Sequence, residues 1–157
     1  IGLMWGKDEF CPAPEHFLSN LLRQKFCTAI DALPAISGKK PTWVLFLPED
    51  ELHDLGLLFS SFLLRQHGEH VIYLGSNVPL DSIKDIVKDV QPKHLLLFMV
   101  RHRPGEEVQD YLSLLEKNFK EIKIHVAGNS FFAAEVKLGK RTDWISDIST
   151  FELNYLK

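Results

Sequence analysis

From Thr42 onward, short uninterrupted apolar runs alternate with segments in which apolar residues recur every three or four positions. The first kind of pattern fits a strand buried on both faces and the second fits an amphipathic helix. Thr42–Leu47 is a predicted strand. A helix follows from about Leu52 to Gln66, with Leu55, Leu58, Phe59, Phe62 and Leu63 on one side as core, and Gly68 is its stop signal. His70–Leu74 is the second strand and Leu80–Val90 a helix carrying Ile83, Ile86 and Val87. Lys93–Val100 is the third strand. Gly105–Phe119 is a helix with Val108, Leu112 and Leu115 inward. Glu121–Ala127 is the fourth strand. A short helix near Phe131–Val136, a weak strand at Thr142–Ile145 and a last helical turn or two complete the pattern.

Strands joined by helices of this length imply right-handed crossovers and a parallel sheet. Five such units fit an α/β fold of flavodoxin or Rossmann-like type with a five-stranded parallel sheet. Residues 1–33 read differently. Pro12 and Pro14 precede Glu15, an acidic residue suited to a first helical turn, and Phe17, Leu18, Leu21, Leu22, Phe26, Ala29 and Ile30 then recur at helical spacing. One helix cannot bury that stripe alone. It needs the second segment, or further helices of a bundle upstream, to pack against. Pro34, Gly38 and Pro41 mark residues 34–41 as a linker. The expected organisation is a helical cap segment at 1–33, the linker, and a Rossmann-like domain at 42–157.

Composition narrows the class. The chain has 157 residues, 45% of them hydrophobic and 25% charged, which is ordinary for a globular domain. Its longest apolar runs fall far short of the ~20 residues a membrane-spanning helix needs. With 18 basic and 21 acidic residues, the chain has no electrostatic reason to seek DNA or anionic lipid by itself. Cys11 and Cys27 are too few for a disulfide framework and fit free thiols in a reducing, cytoplasmic compartment. The opening Ile1 in place of Met fits a fragment or processed form.

Ligands of doubly wound sheets sit beyond the carboxyl ends of the strands. Those ends read Pro48-Glu49-Asp50-Glu51-Leu52-His53-Asp54-Leu55-Gly56, Gly75-Ser76-Asn77-Val78-Pro79, Arg101-His102-Arg103-Pro104-Gly105 and Gly128-Asn129-Ser130. Phosphoryl acceptance needs an aspartate at the end of the third strand, and none is there. No Gly-rich nucleotide loop occurs. No general acid–base pair or activated nucleophile can be assembled, so an enzyme is not expected. There remains a metal or cofactor held by His53. A ligating imidazole uses one nitrogen for the metal and donates the other to a carboxylate, and Glu51 is near enough for that. Gly56 would let a large flat ligand approach the helix start. The alternative is a polar loop histidine beside a helix start. His67, His70, His94 and His125 lack ligand spacing and read as structural or surface, and Arg101, His102 and Arg103 as a solvated basic loop.

Glu51-x-His53-x-x-Gly56, followed by Val71–Gly75 and Pro79, resembles the motif of cobalamin-binding domains. Trp5, nine residues, then Glu15-His16 resembles the W-x9-E-H of the B12-binding MerR-type transcriptional regulators, the CarH-type photoreceptors. The resemblance covers nearly the whole chain. It implies His53 as the lower cobalt ligand with Glu51 behind it, and Trp5, Glu15 and His16 toward the upper ligand, an adenosyl group in adenosylcobalamin. It implies Ser76 and Asn77 in a loop at the corrin edge and Gly128 after the fourth strand. It also implies a homo-oligomeric sensory domain, and DNA contact through an N-terminal winged helix-turn-helix not contained in these residues. In such regulators light breaks the cobalt–carbon bond, changes the oligomer and releases DNA.

The chain departs from the family pattern in two places. Phe98 or a neighbour, in Phe98-Met99-Val100, stands where the family has S-x-L, and Gly128-Asn129 where it has Gly-Gly. A buried Phe and an extra side chain there would narrow the channel for the dimethylbenzimidazole tail. That leaves a second expectation: a cofactor-free oligomerisation or protein-interaction module descended from a B12-binding domain.

Overall fold

A computed structural model describes residues 12–36 and 40–156. Its elements run α1 (Pro12–Asp31), β1 (Thr42–Pro48), α2 (Leu55–Gln66), β2 (His70–Val78), α3 (Leu80–Val90), β3 (His94–Met99), α4 (Gly105–Asn118), β4 (Lys123–Gly128), α5 (Ser130–Glu135), β5 (Thr142–Ile145) and α6 (Ile148–Tyr155). The five strands are parallel in the order β2-β1-β3-β4-β5, the flavodoxin-like arrangement expected.

Strand alternation assigns the two faces. Val44, Phe46, Leu95, Leu97, Ile124 and Val126 point to the side covered by α3 and α4, where Ile83, Val108, Leu112 and Leu115 meet them. Trp43, Leu45, Leu47, Leu96 and Ala127 point to the other side, covered by Leu57, Leu63 and Leu64 of α2 and Phe151 of α6. The central strands are therefore buried on both faces, as their uninterrupted apolar runs predict.

Three boundaries differ from expectation for identifiable reasons. Helix α1 starts at Pro12, before Glu15, because proline suits the first helical positions, where its missing N–H leaves no bond unmade. Helix α2 starts at Leu55, since the N–H groups of Leu52 and His53 are engaged by the Glu51 carboxylate. Strand β2 continues through Gly75, Ser76 and Asn77 to Val78. Gly75 and Asn77 there adopt positive φ (85° and 57°), and irregularities in the β1 pairing absorb the bend.

Helix α1 packs across α2, where the rings of Phe26 and Phe59 lie 5.5 Å apart. Its apolar stripe is only partly covered. Leu18, Leu22, Phe26, Ala29 and Ile30 are half-buried, whereas Phe17 and Leu21 are exposed. Among the described residues, no helix is long and apolar enough to cross a membrane.

Candidate functional site

The sheet switches direction between β1 and β3, so the loops that leave these neighbouring strands diverge and open a crevice. One buried carboxylate ties the loops together. Glu51 is 1% exposed. Its Oε2 accepts the N–H groups of Val100 (2.9 Å) and Arg101 (2.7 Å), beyond β3. Its Oε1 accepts the N–H groups of Leu52 (3.1 Å) and His53 (3.2 Å), and lies 2.5 Å from His53 Nδ1. Burial alone would push this carboxyl up. The donors from Arg101, His53 and Val100 outweigh it and hold the group below the usual carboxylate range. An ionised partner at Nδ1 keeps the proton there, so Nε2 is the nitrogen that carries the lone pair of the neutral imidazole.

The loop is braced from β2 as well. Asn77 donates its backbone N–H to the Glu51 carbonyl (3.2 Å), and its Oδ1 accepts the Asp50 N–H (3.0 Å). Ser76 and Asn77 are thus strand residues. Neither borders the cavity described next, and Asn77 braces the His53 loop through both its backbone N–H and its side-chain Oδ1.

Above His53 lies a cavity of about 1150 Å³ between α1, the start of α2, the ends of β3 and β4, and the start of α6. It exceeds the ~300–1,000 Å³ of ordinary small-molecule pockets. Glu15, His16, Ser19, Asn20 and Arg23 line its α1 side, and His53 and Gly56 its base. Gly128 borders it too, but its glycine identity has a backbone cause. Its φ is 133°, and a Cβ there would collide with the Met99 carbonyl. Phe59 and Leu63 pack in the core as expected and also border the cavity. Phe98, expected to be buried, is half-exposed and lines it as well. Asn129 turns its Oδ1 back to accept the Phe131 N–H and caps α5.

The structure therefore brings Glu15, His16, His53, Gly56 and Gly128 to one cavity, with Glu51 beneath it. Trp5 and Cys11 lie outside the described residues. Cys27 is an exposed free thiol. Arg101 and Arg103 reach the carbonyls of Asp50 (3.5 Å) and Glu49 (2.6 Å) outside the cavity.

Two features escaped the sequence. Arg23 grips Asp54 through Nε (3.2 Å) and Nη2 (2.6 Å), clasping α1 to the residue after His53. Ser19 and Arg23 follow Glu15 at four-residue intervals, so a polar stripe on α1 was the available signal. Asp147 caps α6 by accepting the Thr150 N–H (2.8 Å) and borders the cavity. The Ser146-Asp147 pair before α6 was its signal.

No protein-family model matches the chain. It is 35% identical over 105 residues to the HTH-type transcriptional repressor CarA of Myxococcus xanthus, spanning 66% of this chain and 35% of the repressor. It is 29% identical over 117 residues to the HTH-type transcriptional repressor CarH of the same organism, spanning 74% of this chain and 38% of the repressor. The chain thus spans little more than a third of the curated relatives it matches.

Solved structures share the fold. A cobalamin-binding protein from Desulfitobacterium hafniense DCB-2 aligns at a TM-score of 0.55 and 24% identity, over 95% of this chain and 71% of that one. The monomethylamine corrinoid protein of Methanosarcina barkeri aligns at 0.61 and 16%, over 85% and 63%. The methanol:cobalamin methyltransferase complex MtaBC of that organism aligns at 0.57 and 19%, over 81% and 56%. The chain is homologous to the CarH and CarA repressors and shares its fold with cobalamin-binding proteins.

Proposed function

We propose that this homologue of HTH-type transcriptional repressors is the corrinoid-sensing part of a MerR-type regulator and not an enzyme. A cobalamin, adenosylcobalamin in this reading, occupies the cavity between α1 and the sheet. His53 would hold the cobalt through its imidazole, and Glu51 would position the ring. Glu15 and His16, which line the cavity, would face the upper ligand, the role that the resemblance also assigns to Trp5. Gly56 would give the macrocycle room at the start of α2, Gly128 would shape the opposite edge, and Asn77 supports the His53 loop, with Ser76 beside it in β2. When bound, the group would supply a light-sensitive cobalt–carbon bond.

The observation that carries this reading is the imidazole at the base of the cavity, fixed by a buried carboxylate with four backbone N–H donors of its own. The surroundings fit a corrinoid in two further respects. The cavity is large, and its rim exposes apolar side chains, Leu52 at 67% and Ile148 at 54%, that a flat macrocycle would cover. The residues at the base of the cavity would orient the ligand and exclude water from around His53. The Arg23–Asp54 clasp ties α1 to the start of α2, so α1 would cover the cavity on the side away from the sheet. DNA contact, homo-oligomer formation and a cytoplasmic location belong to this reading through the regulators it resembles.

The test is to mix the purified chain with adenosylcobalamin in the dark, desalt it, and record the visible spectrum before and after green light. A co-eluting corrin band that light changes is expected. A colourless protein contradicts the reading and favours a cofactor-free interaction module, which exposed Phe17 and Leu21 on α1 would serve.

A further inference from the structure

Phe98 stands beneath the turn that carries His53. It lies on the α2 and α6 face of β3, beside Ala127 of β4. Its ring is pressed against the backbone of α2, so that a Cβ at Gly56 would lie only 2.6 Å from Phe98 Cε1. Gly56 follows His53 by three residues. Phe98, Leu63, Ile145 and Phe151 line the same cavity as His53, so a group reaching from His53 toward Leu63, Ile145 and Phe151 shares that space with the Phe98 ring. The wall beyond is almost wholly apolar. Its Ser60 hydroxyl is already engaged with the Gly56 carbonyl (3.0 Å).

Charge points the same way. Among the described residues, Arg23 is the only lysine or arginine that lines the cavity, and Asp54 holds it. Asp147 adds a carboxylate at the start of α6. An anion in the inner cavity would meet no free cation and would lie near a negative charge. Removing an unpaired charge from water is costly.

Resting on the corrinoid reading above, we infer that Phe98 is a specificity residue, and that this cavity prefers a corrinoid lacking the lower nucleotide arm to complete cobalamin. Complete cobalamin carries on its lower face an arm with an anionic phosphodiester and a bulky bicyclic base. With His53 holding the cobalt, that arm would have to be housed among the other residues that line the cavity. The Phe98 ring, pressed against α2 at Gly56, takes up room the arm would need, and the phosphodiester would meet no cation but the Asp54-paired Arg23. A cobinamide-type corrinoid has the same macrocycle and cobalt, and asks only for His53 and the apolar rim.

Visible titration of the full chain with diaquacobinamide and with hydroxocobalamin tests this. Wild-type protein should bind cobinamide at least about tenfold more tightly than hydroxocobalamin. Phe98→Ser should tighten hydroxocobalamin about tenfold and leave cobinamide within about threefold of wild type. Phe98→Leu, a more conservative variant, should give a smaller gain in the same direction, and circular dichroism checks that both variants fold. Equal or tighter hydroxocobalamin binding by wild type would overturn the inference while leaving the corrinoid reading intact. So would a preference that neither variant alters. Failure of wild type and variants to bind either corrinoid contradicts the functional reading itself.

Discussion

His53 and His125 lie toward opposite ends of the sheet and differ in almost every respect that decides what an imidazole can do. The His53 side chain is 44% exposed at the base of a cavity, with a buried carboxylate 2.5 Å from Nδ1. His125 is fully buried near the strand N-termini. It stacks on Trp43 (4.9 Å between rings), meets Tyr155 edge-on (4.6 Å) and shares a 3.0 Å hydrogen bond with His94. Its Nδ1 has no hydrogen-bond partner among the described residues, and Asp143 stays 3.7 Å away. Burial depresses both members of this pair, His94 to about 4 and His125 to about 3, so both are neutral core rings. A backing carboxylate together with access to open space separates a candidate ligand from a packing group. Histidine count and sequence spacing do not.

The comparison breaks most sharply at His53 itself. His53→Ala should lower adenosylcobalamin retention by at least about 100-fold, read by equilibrium dialysis, since outer partners of metal ligands alone are worth 10–100-fold. His125→Gln should leave retention within about threefold and act on stability instead. Glu51→Gln comes next. It keeps the shape of the side chain but removes the charge that accepts five N–H groups. Retention should fall roughly 10–100-fold. Stability should fall by about 2–3 kcal/mol in denaturant titration, the scale of hydrogen bonds to a charged group.

Acid sharpens the contrast by a different route. His94 and His125 titrate below their ordinary value of 6.5 in the fold, so the unfolded chain takes up protons first as pH falls. Their contribution to stability is complete above pH 6.5 and is lost as pH falls toward 4 and then 3. Lys123 opposes protonation of both rings, and Glu69 favours that of His94. Melting temperature should drop roughly 5–10 °C between about pH 7.5 and pH 5, and the drop should shrink in His125→Gln. Glu51 is depressed as well, so its contribution is lost only below the ordinary carboxylate value. The two corners thus separate along the pH axis.

The smallest effect is expected at the clasp. The side chains of Arg23 and Asp54 are 37% and 17% exposed, so solvent screens the pair. Arg23→Ala should cost about 1 kcal/mol or less in stability. It should speed corrinoid release about threefold in stopped-flow chase, because α1 is held less firmly over the cavity.

The sheet was legible because burial on both faces writes itself as apolar runs such as Trp43–Leu47 and Leu95–Leu97. The Glu51–His53 pair was legible because its partners are two residues apart. Contacts between distant segments were not. Arg23 and Asp54 are separated by 31 positions, and the N–H groups that complete the Glu51 cradle come from Val100 and Arg101, some fifty residues downstream. The end of β2 was hidden for another reason. Gly75-Ser76-Asn77 has turn composition, yet its backbone still pairs with β1 at a sheet edge, where a bulge can be absorbed. Phe59 and Leu63 carried a core signature and do pack in the core, yet they also border the cavity. Periodicity reports an apolar surrounding and is silent on whether that surrounding is filled or hollow.

The claim that His53 binds cobalt is tested most directly by electron paramagnetic resonance of the Co(II) corrinoid bound to protein labelled with nitrogen-15 only in histidine. A histidine nitrogen on the axis splits each cobalt line into a doublet, whereas an unlabelled nitrogen of the corrinoid's own base gives a triplet. The account predicts the doublet in wild type and its disappearance in His53→Ala. A triplet, a spectrum without nitrogen splitting, or a doublet that survives in His53→Ala would contradict it.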